Sequence, residues 1–147
     1  MTGLRWVQLA ADERDAFLGT GGVGVLSFES DAGESPASLP VSYGYYADAG
    51  NFYFRLSFPP DSSKSDVIER PVSFVVFDET DDGWRSVVAT GSLEELADAP
   101  AESAAVQGMW AVQIPTVDVF DRPRDEISFR DFRLVPETLT GRKSVSE

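Results

Sequence analysis

The residues best suited to chemistry cluster near the middle of the chain, in the run NFYFRLSFPPDSSKS from Asn51 to Ser65. Ser62, Ser63, Lys64 and Ser65 gather three hydroxyls, one ammonium and backbone N–H groups at the start of a short helix expected over Asp66 to Arg70. Those are the groups that hold a phosphate monoester. The same composition also fits a solvated surface loop, so position has to separate the two readings. Lys64 is one of two lysines in 147 residues, and it lies just beyond a strand that presents Arg55 and Ser57. Arg55 has two uses open to it: its fork can bond the carbonyls of a flat heterocycle or a phosphate, or it can form an ion pair with a nearby Asp or Glu.

Other chemistry is closed to this chain. It has no cysteine and no histidine, which excludes thiolate nucleophiles, zinc sites of the usual ligand types, imidazole bases and Ser-His-Asp triads. Catalysis is left to carboxylates, hydroxyls, Lys, Arg or a bound cofactor. The pairs Glu94/Glu95 and Asp81/Asp82 do not make an acid–base couple, because adjacent strand residues face opposite ways and turn acids face water. Gly21-Gly22-Val23-Gly24 lacks the spacing of a dinucleotide loop and reads as a turn. In Trp84-Arg85-Ser86-Val87 alternation sets Trp84, Ser86 and Val88 on one face and Arg85 and Val87 on the other, and an aromatic at a strand start belongs to a core or an interface. Pro40, within Leu39-Pro40-Val41-Ser42-Tyr43, cannot donate from its backbone, so that strand is an edge or faces a cleft.

The elements that must position these residues are short. Leu9 to Leu18 is expected to be a helix, with Asp12, Glu13 and Asp15 near its positive end. Gly19 to Gly24 stops it, and Val23 to Phe28 reads as a strand. A hairpin follows, from about Ala37 to Tyr46 and on through the turn Asp48-Ala49-Gly50-Asn51. In its second arm strict alternation puts Phe52, Phe54, Leu56 and Phe58 on a core face and Tyr53, Arg55 and Ser57 on the other. Val72 to Phe77 is nearly continuous in apolar residues, as in a barrel wall buried on both faces that also meets a partner. Trp84 to Leu96 is a long strand with a bend or close approach at Gly91. Residues 100 to 112 read as a helix, and Ile127 to Leu134 as the last strand, with a bulge between Phe129 and Phe132. LTGRKS is a terminal tail. Six antiparallel strands with short flanking helices point to a small barrel of the mainly β or α+β class, in a single domain spanning residues 1–147.

The charge narrows the partners. With 25 acidic against 12 basic side chains the formal net charge is −13, which opposes binding to nucleic acid or to anionic lipid. The acids are scattered among aromatics, so they form a shell on a folded core rather than a disordered tail. Acid excess combined with only two lysines resembles proteins of extreme halophiles. No run of 18 apolar residues offers a membrane span, and the first twenty residues lack the order of a signal peptide, so a cytoplasmic protein is expected.

The ordered set GVGVLSF, LPVSYGYYADAGNFYFRLS, SSKSDVIERPVSFVVF, WRSVVATGSLEEL and ETLTGRKS, over most of residues 6 to 143, resembles the pyridoxamine 5′-phosphate oxidase-like split-barrel flavoproteins, in particular their nitroimidazole-resistance and general-stress branch. The resemblance implies a six-stranded antiparallel split barrel that binds FMN at the interface of a homodimer. It places Phe54, Arg55, Leu56 and Ser57 along the flavin, Ser63 and Lys64 on its phosphate, and Pro40, Val41 and Ser42 against its ring. Trp84, Ser86 and Val87 complete the pocket. It implies an FMN-dependent oxidoreductase with a small-molecule electron donor and acceptor, FAD or deazaflavin F420 being the lesser alternatives. Other readings are a non-catalytic flavin-binding or flavin-sensing dimer and an F420-dependent reductase. The nitroimidazole branch usually carries a histidine where Arg55 stands. The basic C-terminal substrate segment of the true oxidases is also absent, which argues against vitamin B6 as substrate.

Overall fold

The computed structural model describes residues 4–30, 33–58, 70–96 and 128–146. Along these the chain forms β1 (Leu4–Gln8), α1 (Ala11–Leu18), β2 (Gly21–Phe28), β3 (Ala37–Tyr46), β4 (Asn51–Phe58), β5 (Pro71–Thr80), β6 (Gly83–Glu95), β7 (Ser128–Leu134) and β8 (Thr138–Ser146). All strand pairs are antiparallel, in the order β1-β8-β6-β5-β2-β3-β4-β7, and β7 returns to β6 at Leu93 to Glu95. The ring β6-β5-β2-β3-β4-β7 is therefore closed and contains the six strands expected from the sequence. β8 and β1 extend it, because the thirteen residues of β6 give their first half to β8 and their end to β7.

Inside the ring the period-two pattern does the packing. Phe52, Phe54 and Leu56 of β4 point inward with Leu26, Phe74, Val76, Val87, Phe132 and Leu134, each such burial contributing roughly 1.5–3 kcal/mol of transfer free energy. Phe74 is the hub, its ring centroid 5.3 Å from Tyr43, 5.4 Å from Phe52 and 4.8 Å from Phe54 in edge-on contacts. Gly24 makes room for it, since a Cβ there would lie 2.6 Å from the Phe74 ring and 2.6 Å from the Val75 carbonyl oxygen. Gly91 lets Leu134 come close in the same way, a Cβ lying 3.0 Å from its Cδ1.

An eight-residue helix is marginal by itself, and only Leu18 of α1 is buried. Side chains from the barrel hold it instead. The Tyr43 hydroxyl donates to the Leu18 carbonyl at 2.9 Å, the Tyr45 hydroxyl to Asp15 Oδ1 at 2.6 Å, and Lys143 Nζ to Glu13 Oε2 at 2.8 Å. The bond from Lys143 lowers the Glu13 carboxyl below its ordinary pKa.

Three expectations change. Gly21 to Gly24 is strand β2 rather than a turn, with Gly19 at φ 62° making the turn before it. β7 runs in unbroken register against β4 from Ser128 to Leu134, so there is no bulge. The terminal tail is the regular strand β8, which pairs with β6 from Thr138 to Lys143 and with β1 from Arg142 to Ser146. β5 buries its inner face in the core, with Val72, Phe74 and Val76 covered, and leaves Phe77 60% exposed on the outer face expected to meet a partner. The helix expected over 100–112, and residues 66–69 of the short helix after Ser65, lie outside the described residues.

Candidate functional site

The barrel parts between β3 and β4. β3 pairs with β2 from Ala37 to Gly44, but with β4 only from Tyr43 to Tyr46. Beyond that point Arg55 to Phe58 of β4 pair with β7 alone. Two strand segments, Ala37–Ser42 and Arg55–Phe58, thus flank an opening without pairing across it.

Alternation of ladder direction says which backbone groups face the opening. The Tyr45 N–H donates to the Thr20 carbonyl at 3.0 Å, so odd-numbered residues of β3 bond toward β2 and even-numbered ones toward β4. The backbone groups of Ser38, Pro40 and Ser42 are therefore aimed at the split. Pro40 brings a carbonyl and no N–H, which is why a proline is accepted there. Gly44 stands opposite Tyr53, and the same alternation aims the backbone groups of Arg55 and Ser57 at the split from the other lip. Beside them the Ser42 Oγ is buried with no hydrogen-bond partner, the only such side-chain atom among the described residues. An unsatisfied buried hydroxyl costs about 1–3 kcal/mol.

Arg55 takes the ion-pair option: its Nε donates to Asp131 Oδ1 at 2.9 Å, with the two side chains 52% and 36% exposed. A pair so open to water is worth about 0–1 kcal/mol, so the guanidinium is cheaply redirected. No local signal marks Asp131, which stands 76 positions away and meets Arg55 only through the β4–β7 register. Phe54 and Leu56 turn inward, as do Val41 and Val87, so all four can serve a site only as its wall or through backbone atoms. Trp84, 39% exposed, and the half-buried Ser86 stand on the outer face of β6, which β5 and β2 separate from β3. At the usual strand spacing that is about 14 Å, so one chain does not gather them with Ser42. Ser63 and Lys64 lie outside the described residues.

Trp84 and Ser86 share their outer face with an apolar row. Pro40, Val25, Val75 and Val88 stand in register across β3, β2, β5 and β6. Val23, at 54% exposed, and Phe77, at 60%, flank the row. Among the described residues no group of carboxylates could hold a metal ion, and no helix is long and apolar enough to cross a membrane.

A family model described as pyridoxamine 5′-phosphate oxidase matches residues 10–143. Among solved structures, an FAD-binding protein from Mesorhizobium loti is 24% identical, with a TM-score of 0.66 over 97% of this chain and 99% of that one. The FAD binding protein from Mycobacterium smegmatis is 18% identical, with a TM-score of 0.67 over 92% and 98%. An FAD and heme binding protein of the same organism is 15% identical, with a TM-score of 0.60 over 93% and 73%. At these identities the likeness is one of fold. Comparison with curated proteins finds no match.

Proposed function

We propose that this chain, which belongs to the pyridoxamine 5′-phosphate oxidase family, binds a flavin at the split between β3 and β4 and works as an FMN-dependent oxidoreductase. The observation that carries the reading is the buried, unpartnered Ser42 hydroxyl beside two unpaired strand lips. A flat heterocycle with carbonyl and imide groups along one edge suits that arrangement, since Ser42, Arg55 and Ser57 offer N–H donors, and Ser42, Pro40 and Arg55 offer carbonyl acceptors. Arg55 swings from Asp131 to the ring or stays paired as an edge post. Ser63 and Lys64 take the phosphate. A flavin supplies hydride or single-electron transfer, which a chain lacking His and Cys does not supply from its side chains.

A homodimer belongs to the same reading. The apolar row through Pro40, Val25, Val75 and Val88 is a self-complementary face of the kind a two-fold interface buries. Trp84 and Ser86, remote from Ser42 in one chain, would reach a flavin held by the second copy. The relatives named as FAD-binding support a flavin, and the single lysine in the run Ser62 to Ser65 favours one terminal phosphate.

A second reading is a flavin-binding or flavin-sensing dimer without turnover. It is favoured by the make-up of the lips, where the described groups are backbone, the Ser38 and Ser42 hydroxyls and an arginine whose partner carboxylate, Asp131, is held in the ion pair. Reduction by NAD(P)H coupled to turnover of a quinone or nitro compound decides for the enzyme.

The test of binding is the visible spectrum of the protein in concentrated KCl before and after adding FMN or FAD. The expected result is a yellow two-band spectrum that travels with the protein on gel filtration, with Lys64→Ala weakening FMN binding at least about tenfold. A folded protein that binds neither flavin contradicts the reading.

A further inference from the structure

Arg142, on β8, breaks a pattern that the other described cations keep. Arg14, Arg55, Arg130, Arg133 and Lys143 each hold a carboxylate. Arg70 and Arg85 donate to backbone carbonyls, and Arg5 is engaged as well. Arg142 is exposed and, among the described residues, alone among the cations in having no hydrogen bond or ion pair from its side chain. Acidic side chains outnumber basic ones 25 to 12, so a shortage of carboxylates does not explain it.

Its surroundings have a definite chemistry. β1 and β8 set Gln8 opposite Arg142 and Trp6 opposite Ser144, so Trp6 is the diagonal neighbour of Arg142 on one face, within reach of long side chains. Trp6, Gln8, Thr140 and Arg142 wall a cleft of about 350 Å³ over the backbone of Val7 and Gly141. The Trp6 indole is 51% exposed, although a side chain of that size is ordinarily well covered. The cleft thus offers one uncommitted guanidinium, one open aromatic face, one amide and one hydroxyl.

We infer that this cleft is a binding site for a planar aromatic monocarboxylate. The carboxylate takes the Arg142 fork, the ring lies on Trp6, and Gln8 and Thr140 meet polar atoms at the ring edge. A single negative charge is preferred over a phosphate dianion, because a molecule of net charge −13 repels the second charge as it repels the first, while only one cation repays it. β8 is four strands from β3 in the sheet, roughly 19 Å at the usual spacing. Within one chain the cleft is therefore separate from the β3 lip of the split, but Arg142 stands in register with Ser86 of β6, a residue proposed above to meet the flavin of a second copy. The inference rests on Arg142 and Trp6, and the Lys64→Ala variant below separates the two sites.

Titration calorimetry of the full chain with nicotinate, and with its neutral amide as control, tests it. Nicotinate is expected to bind saturably and at least about tenfold more tightly than nicotinamide. Arg142→Gln removes that preference, Trp6→Leu weakens both ligands, and both variants keep the far-ultraviolet dichroism of the parent. Lys64→Ala, aimed at the flavin phosphate, leaves nicotinate binding intact. Equal affinity for the acid and the amide, no saturable binding by the folded chain, undiminished binding in Arg142→Gln, or loss of nicotinate binding in Lys64→Ala each overturns the inference.

Discussion

Ser42 separates a structural from a functional explanation of the split more sharply than any other side chain. A buried hydroxyl without a partner is a cost to the folded state, and it is retained here beside unpaired strand edges. Ser42→Ala should leave the flavin-free protein as stable as the parent, or more stable by about 1 kcal/mol, and weaken FMN about tenfold. Urea denaturation and an FMN titration check both halves, and a destabilised flavin-free variant would mean the hydroxyl is already satisfied. The two tyrosines that hold α1 make a separate prediction. Burial pushes the hydroxyls of Tyr43 and Tyr45 up to about 12, helped at Tyr45 by the bond to Asp15. A phenol whose folded pKa is raised stabilises the fold fully below its unfolded value near 10, and that contribution is lost as pH rises from there through 12. Stability should therefore fall across that window, with the phenolate absorbance of these two residues delayed. Tyr45→Phe should cost about 1 kcal/mol at neutral pH, by loss of the Asp15 bond.

At the scale of elements, Gly24 is where β2 meets the aromatic hub. Gly24→Ala drives a methyl to 2.6 Å from both the Phe74 ring and the Val75 carbonyl, and overpacking of this kind costs about 1–3 kcal/mol. Chemical denaturation should show it, and a neutral effect would mean that β2 and β5 part easily. Strands β4 and β5 were legible in the sequence for different reasons: Phe52, Phe54 and Leu56 alternate with a strong period of two in β4, and Val72 to Phe77 of β5 is nearly continuous in apolar residues. β8 was not, because TLTGRKSVS is almost wholly polar and its pairing with β1, at the far end of the chain, leaves no local trace. Gly21 to Gly24 misled for a related reason. Glycines ordinarily mark turns, but here Gly24 is demanded by a contact with a residue fifty positions away. Of the candidate site, Pro40 as a cleft residue and the choice open to Arg55 could be read from types and alternation. The partner of Arg55, and the orphaned state of Ser42, depend on register and were invisible.

For the molecule as a whole, charge and the apolar outer face set the behaviour. A net charge of −13 on 147 residues destabilises the compact state through self-repulsion that salt screens. The thermal midpoint should rise when KCl is increased from millimolar to molar, and a midpoint indifferent to salt would contradict this. The face carrying Val25, Val75, Val88 and Phe77 predicts a two-fold dimer that Phe77→Arg splits without unfolding, because Phe77 is largely exposed in the single chain. Sedimentation velocity reads that directly, and an unchanged sedimentation coefficient in the variant would remove this face from the interface. The central claim, that a flavin occupies the opening between β3 and β4, is tested most directly by amide hydrogen exchange with and without saturating FMN. Protection should appear at the N–H groups of Ser42, Arg55 and Ser57, which face the split, and leave β1 and β8 unchanged. Bound FMN that leaves those three amides exchanging as before would contradict the claim.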